Sequence, residues 1–207
     1  MARTNKPKPR GRPRRFDPQE VVSTAQALFH AHGYDAVNVT DIIKAVGINP
    51  PSFYAVFNSK ADLYARVLDR WSNTGAIPLA EILRDDRPVA EALAHLFEEA
   101  ARRYSNVTGA TGCLVIEGTR CNDPEAREVA CLFNRAAEKA VREYIAARHP
   151  DEANRVTDFV STTMSGLSAK ARNGHSLRQL LETARIASSA LALALPPKGV
   201  SPEERRP

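Results

Sequence analysis

The chain has 207 residues, of which 43% are apolar and 26% are charged, and its formal net charge is +5. This composition is typical of a globular protein, and the longest apolar stretch, residues 186–195, is too short for the roughly 18 residues of a membrane span. Because glycine is sparse and no β-branched or aromatic run alternates with polar residues, the composition favours an all-helical fold.

The first 15 residues carry a net charge of +7, which is larger than the net charge of the whole chain. They contain seven lysines or arginines and no acid, so the rest of the chain has a net charge of −2. A basic arm on a near-neutral body indicates a polyanionic partner, and the alternative is a solvated tail that only aids solubility. Since the arm is poor in apolar residues and rich in proline, we expect it to be disordered in the free protein.

Capping signals predict a series of short helices after the arm. Each of the first four begins at a residue whose side chain accepts hydrogen bonds from free backbone N–H groups: Asp17, Asn38, Asn49 and Ser59 or Asn58. Gly33 and Gly47 are placed to end the first and second helices. The predicted fourth helix runs from Lys60 to about Asn73.

The second and third predicted helices are separated only by residues 47–49. Such a tight corner indicates a helix-turn-helix, at about residues 37–56, whose second helix enters the major groove of DNA. The alternative is an ordinary helical corner whose prolines and aromatic rings pack in a core. Because the third helix carries no arginine or glutamine, base readout there would depend on apolar contacts with thymine methyl groups.

Polar and exposed residues of this corner are the candidate DNA contacts. Phosphate contacts are assigned to Thr40, Lys44, Tyr54 and Lys60. Contacts nearer the bases are assigned to the start of the third helix, namely Asn49, Pro50, Ser52 and Phe53. His30 and His32, at the end of the first helix, are expected to be surface or capping groups rather than ligands.

Residues 16–64 resemble the DNA-binding domain of TetR-type regulators. The resemblance rests on residues 27–29, 33–34, 39–42, 45–47, 53–54, 57, 59–60 and 63. It implies that Thr40, Tyr54 and Lys60 touch phosphates while the start of the third helix faces bases. Pro50 and Pro51 depart from the family pattern, in which many members have Ser, Thr or Gly.

Residues 8–14 resemble an AT-hook, whose Arg-Gly-Arg core lies in a narrow minor groove. Here that core is Arg10, Gly11 and Arg12. Arginines suit the negative potential of A·T-rich grooves. The alternative is a phosphate-binding arm with no preference for a groove.

The second half of the chain is predicted to be helical over residues 78–84, 88–106, 112–121, 124–148, 152–172 and 176–195. Its segments 112–114, 123–125 and 166–174 resemble the ligand-binding and dimerisation domain of TetR-type regulators. The resemblance implies a homodimer through about residues 152–195. Small residues would allow close helix approach there: Ser161, Ser165, Gly166, Ala169, Ala187, Ala190 and Ala194.

Aromatic and sulfur-containing side chains of this half are candidates to line an effector cavity, with plain core packing as the alternative: Trp71, Phe97, Tyr104, Cys113, Phe133 and Met164. Cys113 and Cys121 fall on one predicted helix, where Arg120 and Arg127 would lower a thiolate pKa and favour redox control. The alternative is that the cysteines are small buried hydrophobes.

The sequence therefore predicts an all-α protein with four segments: a basic arm (1–15), a DNA-binding domain (16–74), an effector-binding and dimerisation domain (75–196) and a polar tail (197–207). No enzyme motif, cofactor motif or metal-ligand spacing is present, so neither catalysis nor a cofactor is predicted. We expect a cytoplasmic homodimeric repressor that a small-molecule effector releases from operator DNA. The alternative is an architectural protein of A·T-rich DNA without an effector, which a buried cavity would argue against.

Overall fold

The computed structural model describes residues 17–105 and 109–195, and its secondary structure there is entirely helical. The described residues form ten α-helices: α1 (Pro18–His32), α2 (Val39–Val46), α3 (Pro50–Tyr54), α4 (Lys60–Thr74), α5 (Leu79–Ile82), α6 (Val89–Tyr104), α7 (Leu114–Gly118), α8 (Pro124–Ala146), α9 (Ala153–Arg172) and α10 (Leu177–Ala194). A 3-10 turn, Pro150–Glu152, precedes α9. The all-helical prediction is confirmed.

The predicted caps begin the first four helices. Asp17 accepts from the backbone N–H of Gln19 at 2.9 Å, and Asn49 accepts from that of Ser52 at 2.9 Å. Ser59, rather than Asn58, caps α4 through the N–H of Asp62 at 3.0 Å. These contacts satisfy N–H groups that have no partner within their own helix.

The helix predicted over residues 112–121 is much shorter than expected. It is only the five-residue α7, because its end is pressed against α4 and α8. A Cβ added to Gly118 would lie 2.2 Å from the Tyr64 hydroxyl oxygen and 2.8 Å from the Ala130 Cβ. The chain turns here and restarts at Asp123, whose carboxylate caps α8 through two backbone N–H groups.

The largest core crosses the predicted domain boundary. It is built around fully buried aromatic side chains of α1, α3 and α4, and it continues into Leu114, Cys121, Ala126 and Ala130 of the second half. The hydroxyl of Tyr64 donates to the backbone oxygen of Leu114 at 3.3 Å. The N-terminal helices α1–α4, called the head below, are therefore packed directly on α7 and the start of α8.

A second core fills the body of the protein between α6, α9, α10 and the end of α8. A smaller third core joins the C-terminal end of α6 to α7, α9 and α10. Within the described ranges, none of the helices is both long enough and apolar enough to cross a membrane.

Candidate functional site

The α2–α3 corner is fixed by backbone geometry. Gly47 has φ +74°, in the left-handed region that favours glycine, and its N–H donates to the carbonyl of Ile43 at 2.9 Å. The N–H of Ile48 donates to the same carbonyl at 3.2 Å. Since Asn49 already caps α3, only two residues separate the end of α2 from the cap of the next helix. The corner therefore holds α3 at a set angle to α2.

Phe53 anchors α3 to the core of the head. Its side chain is fully buried, and its ring centroid lies 5.2 Å from that of Phe57. The prediction that Phe53 contacts DNA is therefore wrong for this conformation, because a ring enclosed in the core does not reach a base or a phosphate. Its role is to support the helix whose outer face carries the polar candidates.

The outer face of the corner carries most of the other predicted contacts. Thr40, Lys44, Asn49 and Pro50 are exposed, and Ser52 is half-buried. Tyr54 is 55% exposed although it directly follows the buried Phe53. The exposed polar and basic groups are thus on α2, and the exposed prolines are at the start of α3. We call the following side chains the corner face: Thr40, Lys44, Asn49, Pro50, Pro51, Ser52 and Tyr54.

Lys60 is placed differently from the other candidates. Its ammonium nitrogen lies 3.8 Å from the centroid of the Tyr34 ring, and burial lowers its pKa. The hydroxyl of Tyr34 in turn donates to the carboxylate of Asp123 at 2.7 Å. A phosphate contact by Lys60 would require its amine to leave the ring.

A cavity of about 390 Å³ lies between α4, α6, α8 and α9. Five of the six side chains predicted as effector-cavity candidates line this cavity: Trp71, Tyr104, Cys113, Phe133 and Met164. The exception is Phe97, which is fully buried in the second core with its ring centroid 6.2 Å from that of Phe159. A volume of this size accommodates a small organic molecule.

The head meets the wall of the cavity at one junction. The His30 ring contacts the Trp71 ring edge-on at 4.8 Å between centroids, and its Nε2 donates to the Gly112 carbonyl at 3.0 Å. The guanidinium of Arg172, from α9, donates to the backbone oxygen of His30 at 2.9 Å. Trp71 and Gly112 also line the cavity. His30, in the last turn of α1, therefore contacts two residues that a molecule in the cavity would touch.

Sequence reasoning missed this junction. His30 was expected to be a surface or capping group, but it is half-buried and bonded to a residue 82 positions away. The glycine at position 112 was the signal in the sequence, since glycine often marks a tight turn. In the structure its φ is +80°, in the left-handed region that favours glycine. A Cβ at this position would lie 2.9 Å from the Cγ of Arg172.

Comparison with known proteins identifies the relatives of the chain. Residues 21–67 match the family described as bacterial regulatory proteins, tetR family. The chain is 55% identical over 185 residues to the HTH-type transcriptional repressor BdcR of Escherichia coli K12, covering 89% of this chain and 94% of BdcR. It is 29% identical over 188 residues to the HTH-type transcriptional repressor ComR of the same organism, covering 86% of this chain and 90% of ComR. The chain belongs to the TetR family.

Solved structures of TetR-family proteins share this architecture. A cysteine mutant of the TetR-family transcriptional regulator CifR, in complex with 26-base-pair double-strand operator DNA, superposes with a TM-score of 0.78 at 25% identity. The match covers 86% of this chain and 99% of the CifR chain. Membership of the TetR family makes the chain a helix-turn-helix transcriptional regulator and not an enzyme.

The cysteines of this TetR-family chain are not activated in the way that the sequence suggested. Burial raises the pKa of both the Cys113 and the Cys121 thiols. The guanidinium of Arg127 donates to the backbone oxygen of Cys121 at 3.0 Å instead of pairing with its sulfur. The two cysteines flank the short α7 and do not share a helix. The interpretation as a small buried hydrophobe is therefore favoured for Cys121, whereas Cys113 is half-buried and lines the cavity.

The small residues assigned to a TetR-type dimer interface divide into separate groups. Ser161 and Ser165 line the cavity, and Ala187 and Ala194 pack against the second core. Gly166 and Ala190 are exposed on α9 and α10. Arg10 and Arg12 of the AT-hook-like arm lie outside the described residues.

Acidic pH is expected to destabilise the protein through His30. Burial lowers the pKa of His30 below its ordinary value of 6.5, and the charge of Arg172 adds to the effect. The unfolded chain therefore binds the proton first, so the stability is full above pH 6.5 and falls as the pH drops below it. Melting temperatures at pH 7.5 and pH 5.5 should differ more for the wild type than for His30→Gln. The exposed His95→Gln is the control, and an equal drop in all three proteins would contradict the assignment.

Proposed function

We propose that the chain is a homodimeric repressor that binds a two-half-site operator through the corner face and is released by a small molecule in the cavity. The observation that carries the proposal is the junction at His30, which joins the helix-turn-helix head to the cavity wall. The relatives BdcR and ComR, both called transcriptional repressors, support the direction of control. We place its action in the cytoplasm, where operator DNA lies.

Binding of DNA is supported by the chemistry of the corner face. Thr40, Lys44 and Tyr54 offer hydroxyl and ammonium donors to phosphates. Asn49 already uses its side-chain oxygen to cap α3, so it is poorly placed for the two-bond contact with adenine. Exposed Pro50 and Pro51 suit apolar contact with thymine methyl groups. CifR, which has the same fold, is bound to operator DNA in its solved structure.

A two-fold operator requires a two-fold protein, and the last two helices supply an apolar surface for it. Ile186 is 75% exposed and Leu193 is 78% exposed on α10, with the exposed Ala190 between them. Phe159 on α9 is 37% exposed. We assign these residues, together with Gly166, to one interaction surface and call it the dimer face. Large exposed apolar side chains at helical spacing are typical of an interaction surface.

A molecule in the cavity could release DNA through the contacts between the cavity wall and His30. A molecule that moves Trp71 or Gly112 disturbs the contacts that hold His30, and the last turn of α1 shifts with them. In a dimer, a shift of each head changes the separation of the two α3 helices. The molecule then weakens DNA binding by its differential affinity for the two arrangements, typically by about 1–3 kcal/mol. The alternative of an architectural protein without an effector gives no reason for the cavity.

Substitutions on the corner face test the assignment of phosphate contacts. Tyr54→Ala should weaken DNA binding roughly tenfold. The factor should be the same for two duplexes, an operator obtained by selection from random sequences and a scrambled version of it, because phosphate contacts do not depend on the base sequence. Lys60→Ala should act in the same way if its amine leaves Tyr34 on binding. Pro50→Ala should instead alter sequence preference. Gel-shift titrations against both duplexes measure these effects, and unchanged affinity of Tyr54→Ala would show that α3 is wrongly placed.

Deletion of residues 1–14 tests the arm. It removes six positive charges, so affinity should fall and the slope of log affinity against log salt should flatten by roughly one unit per lost phosphate contact. If Arg10 and Arg12 enter a minor groove, replacing A·T pairs that flank each half-site with G·C should weaken only the intact protein, because G·C adds an amino group to the groove floor. If the affinity of the intact protein does not change on this exchange, the arm contacts only phosphates and does not enter a minor groove.

A further inference from the structure

The cavity is mostly apolar, but the described residues that line it include one carboxylate. Trp71, Tyr104, Phe133 and Met164 supply aromatic and sulfur-containing walls, and Glu138 of α8 lies among them, half-buried. A carboxylate at an apolar wall loses hydration, which is unfavourable unless hydrogen bonds or an opposite charge replace it. The partners of Glu138 therefore indicate what the cavity is built to hold.

Two neutral groups hold the carboxylate of Glu138 in place. The hydroxyl of Ser161 and the side-chain amide of Asn134 both donate to its Oε1, the amide at 3.0 Å. Both residues line the cavity as well. These bonds fix the direction of the carboxylate but do not neutralise its charge, and both are made to the same oxygen. Its Oε2 has no hydrogen-bond donor in the part of the chain that the structure describes.

Two of the three basic side chains nearest to Glu138 along α8 are paired with other carboxylates. Arg135 pairs with Glu128 at 2.6 Å, and Lys139 lies 3.7 Å from Glu143. Arg142, one turn further along α8, is exposed to solvent and lines a second pocket together with Arg135, Lys139 and Glu138 itself. Over residues 17–105 and 109–195, no basic nitrogen comes within 4.0 Å of the Glu138 carboxylate.

Among the described residues, the one arginine that lines the cavity is also paired. The guanidinium of Arg103 pairs with Glu99 at 2.5 Å and donates to the carbonyl of Ala76 at 3.1 Å. The cavity thus presents to an incoming molecule a carboxylate that has no ion-pair partner within 4.0 Å among the described residues. The guanidinium of Arg103 is already paired with Glu99. This arrangement favours a cationic ligand over an anionic one.

We propose that the effector is a small organic cation, a protonated amine on an apolar body, whose ammonium group pairs with Glu138. This assignment rests on the proposed effector control and names the class of its ligand. The apolar body would lie against Trp71 and Phe133, where aromatic faces also attract a cation. An ammonium donor supplies the charge that Ser161 and Asn134 leave uncompensated.

Three probes of equal length and different charge test the proposal: 4-phenylbutylamine, 4-phenylbutan-1-ol and 4-phenylbutyrate at pH 7. Trp71 is the single tryptophan of the chain and lines the cavity, so its fluorescence reports occupancy. Binding to the folded state also raises the melting temperature. We expect the amine to bind more tightly than the alcohol, and the butyrate to bind least.

Matched variants assign the difference to one carboxylate. Glu138→Gln keeps the size and the hydrogen-bonding oxygen, and it should weaken binding of the amine about tenfold or more while leaving the alcohol unchanged. Glu143→Gln, an exposed position on the same helix, should leave all three affinities unchanged. The proposal is overturned if the amine binds no better than the alcohol, or if Glu138→Gln and Glu143→Gln behave alike.

Measuring the release of operator DNA distinguishes the proposed cationic class of the effector from the proposed control of DNA binding by an effector. The amine should lower the affinity of the wild type for its operator and should do so less effectively in Glu138→Gln. If the alcohol or the butyrate binds best and releases DNA, effector control stands and the cationic class is wrong. If the amine binds through Glu138 but leaves DNA affinity unchanged, the class stands and effector control by this cavity is wrong.

Discussion

Replacing Phe53 with alanine is expected to lower the free energy of unfolding by about 3–5 kcal/mol and to abolish specific DNA binding. The ring is fully buried and packs against Phe57 beneath a helix of only five residues. Such a short helix is not stable alone, so its position depends on this anchor. Urea denaturation followed by circular dichroism measures the loss of stability, and a gel shift measures the loss of binding.

The neighbouring Tyr54→Ala is the matched control for this experiment. Tyr54 is 55% exposed, so its removal should change the free energy of unfolding by less than about 1 kcal/mol while still weakening DNA binding. Phe53→Ala should therefore lower both the free energy of unfolding and the DNA affinity, whereas Tyr54→Ala should lower mainly the DNA affinity. Equal destabilisation by both substitutions would contradict the described orientation of α3.

Gly166→Arg is expected to convert the protein into a folded monomer whose operator affinity is about a hundredfold lower or weaker still. A Cβ at this position meets no atom within 4 Å in a single chain, so the substitution does not strain the fold. At the dimer face, however, a guanidinium would be forced between closely packed helices. A monomer also loses the second half-site, and with it the avidity of two linked contacts.

Light scattering and operator titration measure the two consequences together. His95→Arg places the same side chain at an exposed position of α6, outside the dimer face, and should remain dimeric with wild-type affinity. A circular dichroism spectrum like that of the wild type confirms that Gly166→Arg is folded. If wild type and Gly166→Arg scatter alike, as monomers or as dimers, the assignment of this face is wrong.

Local signals in the sequence accounted for most of the fold. Helix starts at Asp17, Asn38 and Asn49 depend on hydrogen bonds between residues two or three positions apart, so a reading of neighbours suffices to find them. The corner between α2 and α3 was predictable for the same reason, since Gly47 and Asn49 determine it within three residues. Five of the six candidates also line the cavity, because large apolar side chains of the helices turn toward the interior, where either a core or a cavity can lie.

Packing between distant parts of the chain was not predictable. Phe53 and Tyr54 are adjacent aromatic residues on a short helix, and only the position of the head core decides which one is buried. His30 meets Gly112 and Arg172 through contacts that span 82 and 142 positions. Ser161 and Ser165 were assigned to an interface because small residues suit one, but they line a cavity that only the assembled helices enclose.

Sequence-specific binding of the full chain to duplex DNA tests the central claim most directly. An operator selected from random duplexes is labelled, and its affinity is compared by fluorescence anisotropy with that of a scrambled duplex of equal length at the same salt concentration. A regulator that reads bases through the corner face should prefer the operator by about a thousandfold or more, with two chains bound to each duplex. Equal affinity for the two duplexes, or no binding to either, would contradict the account.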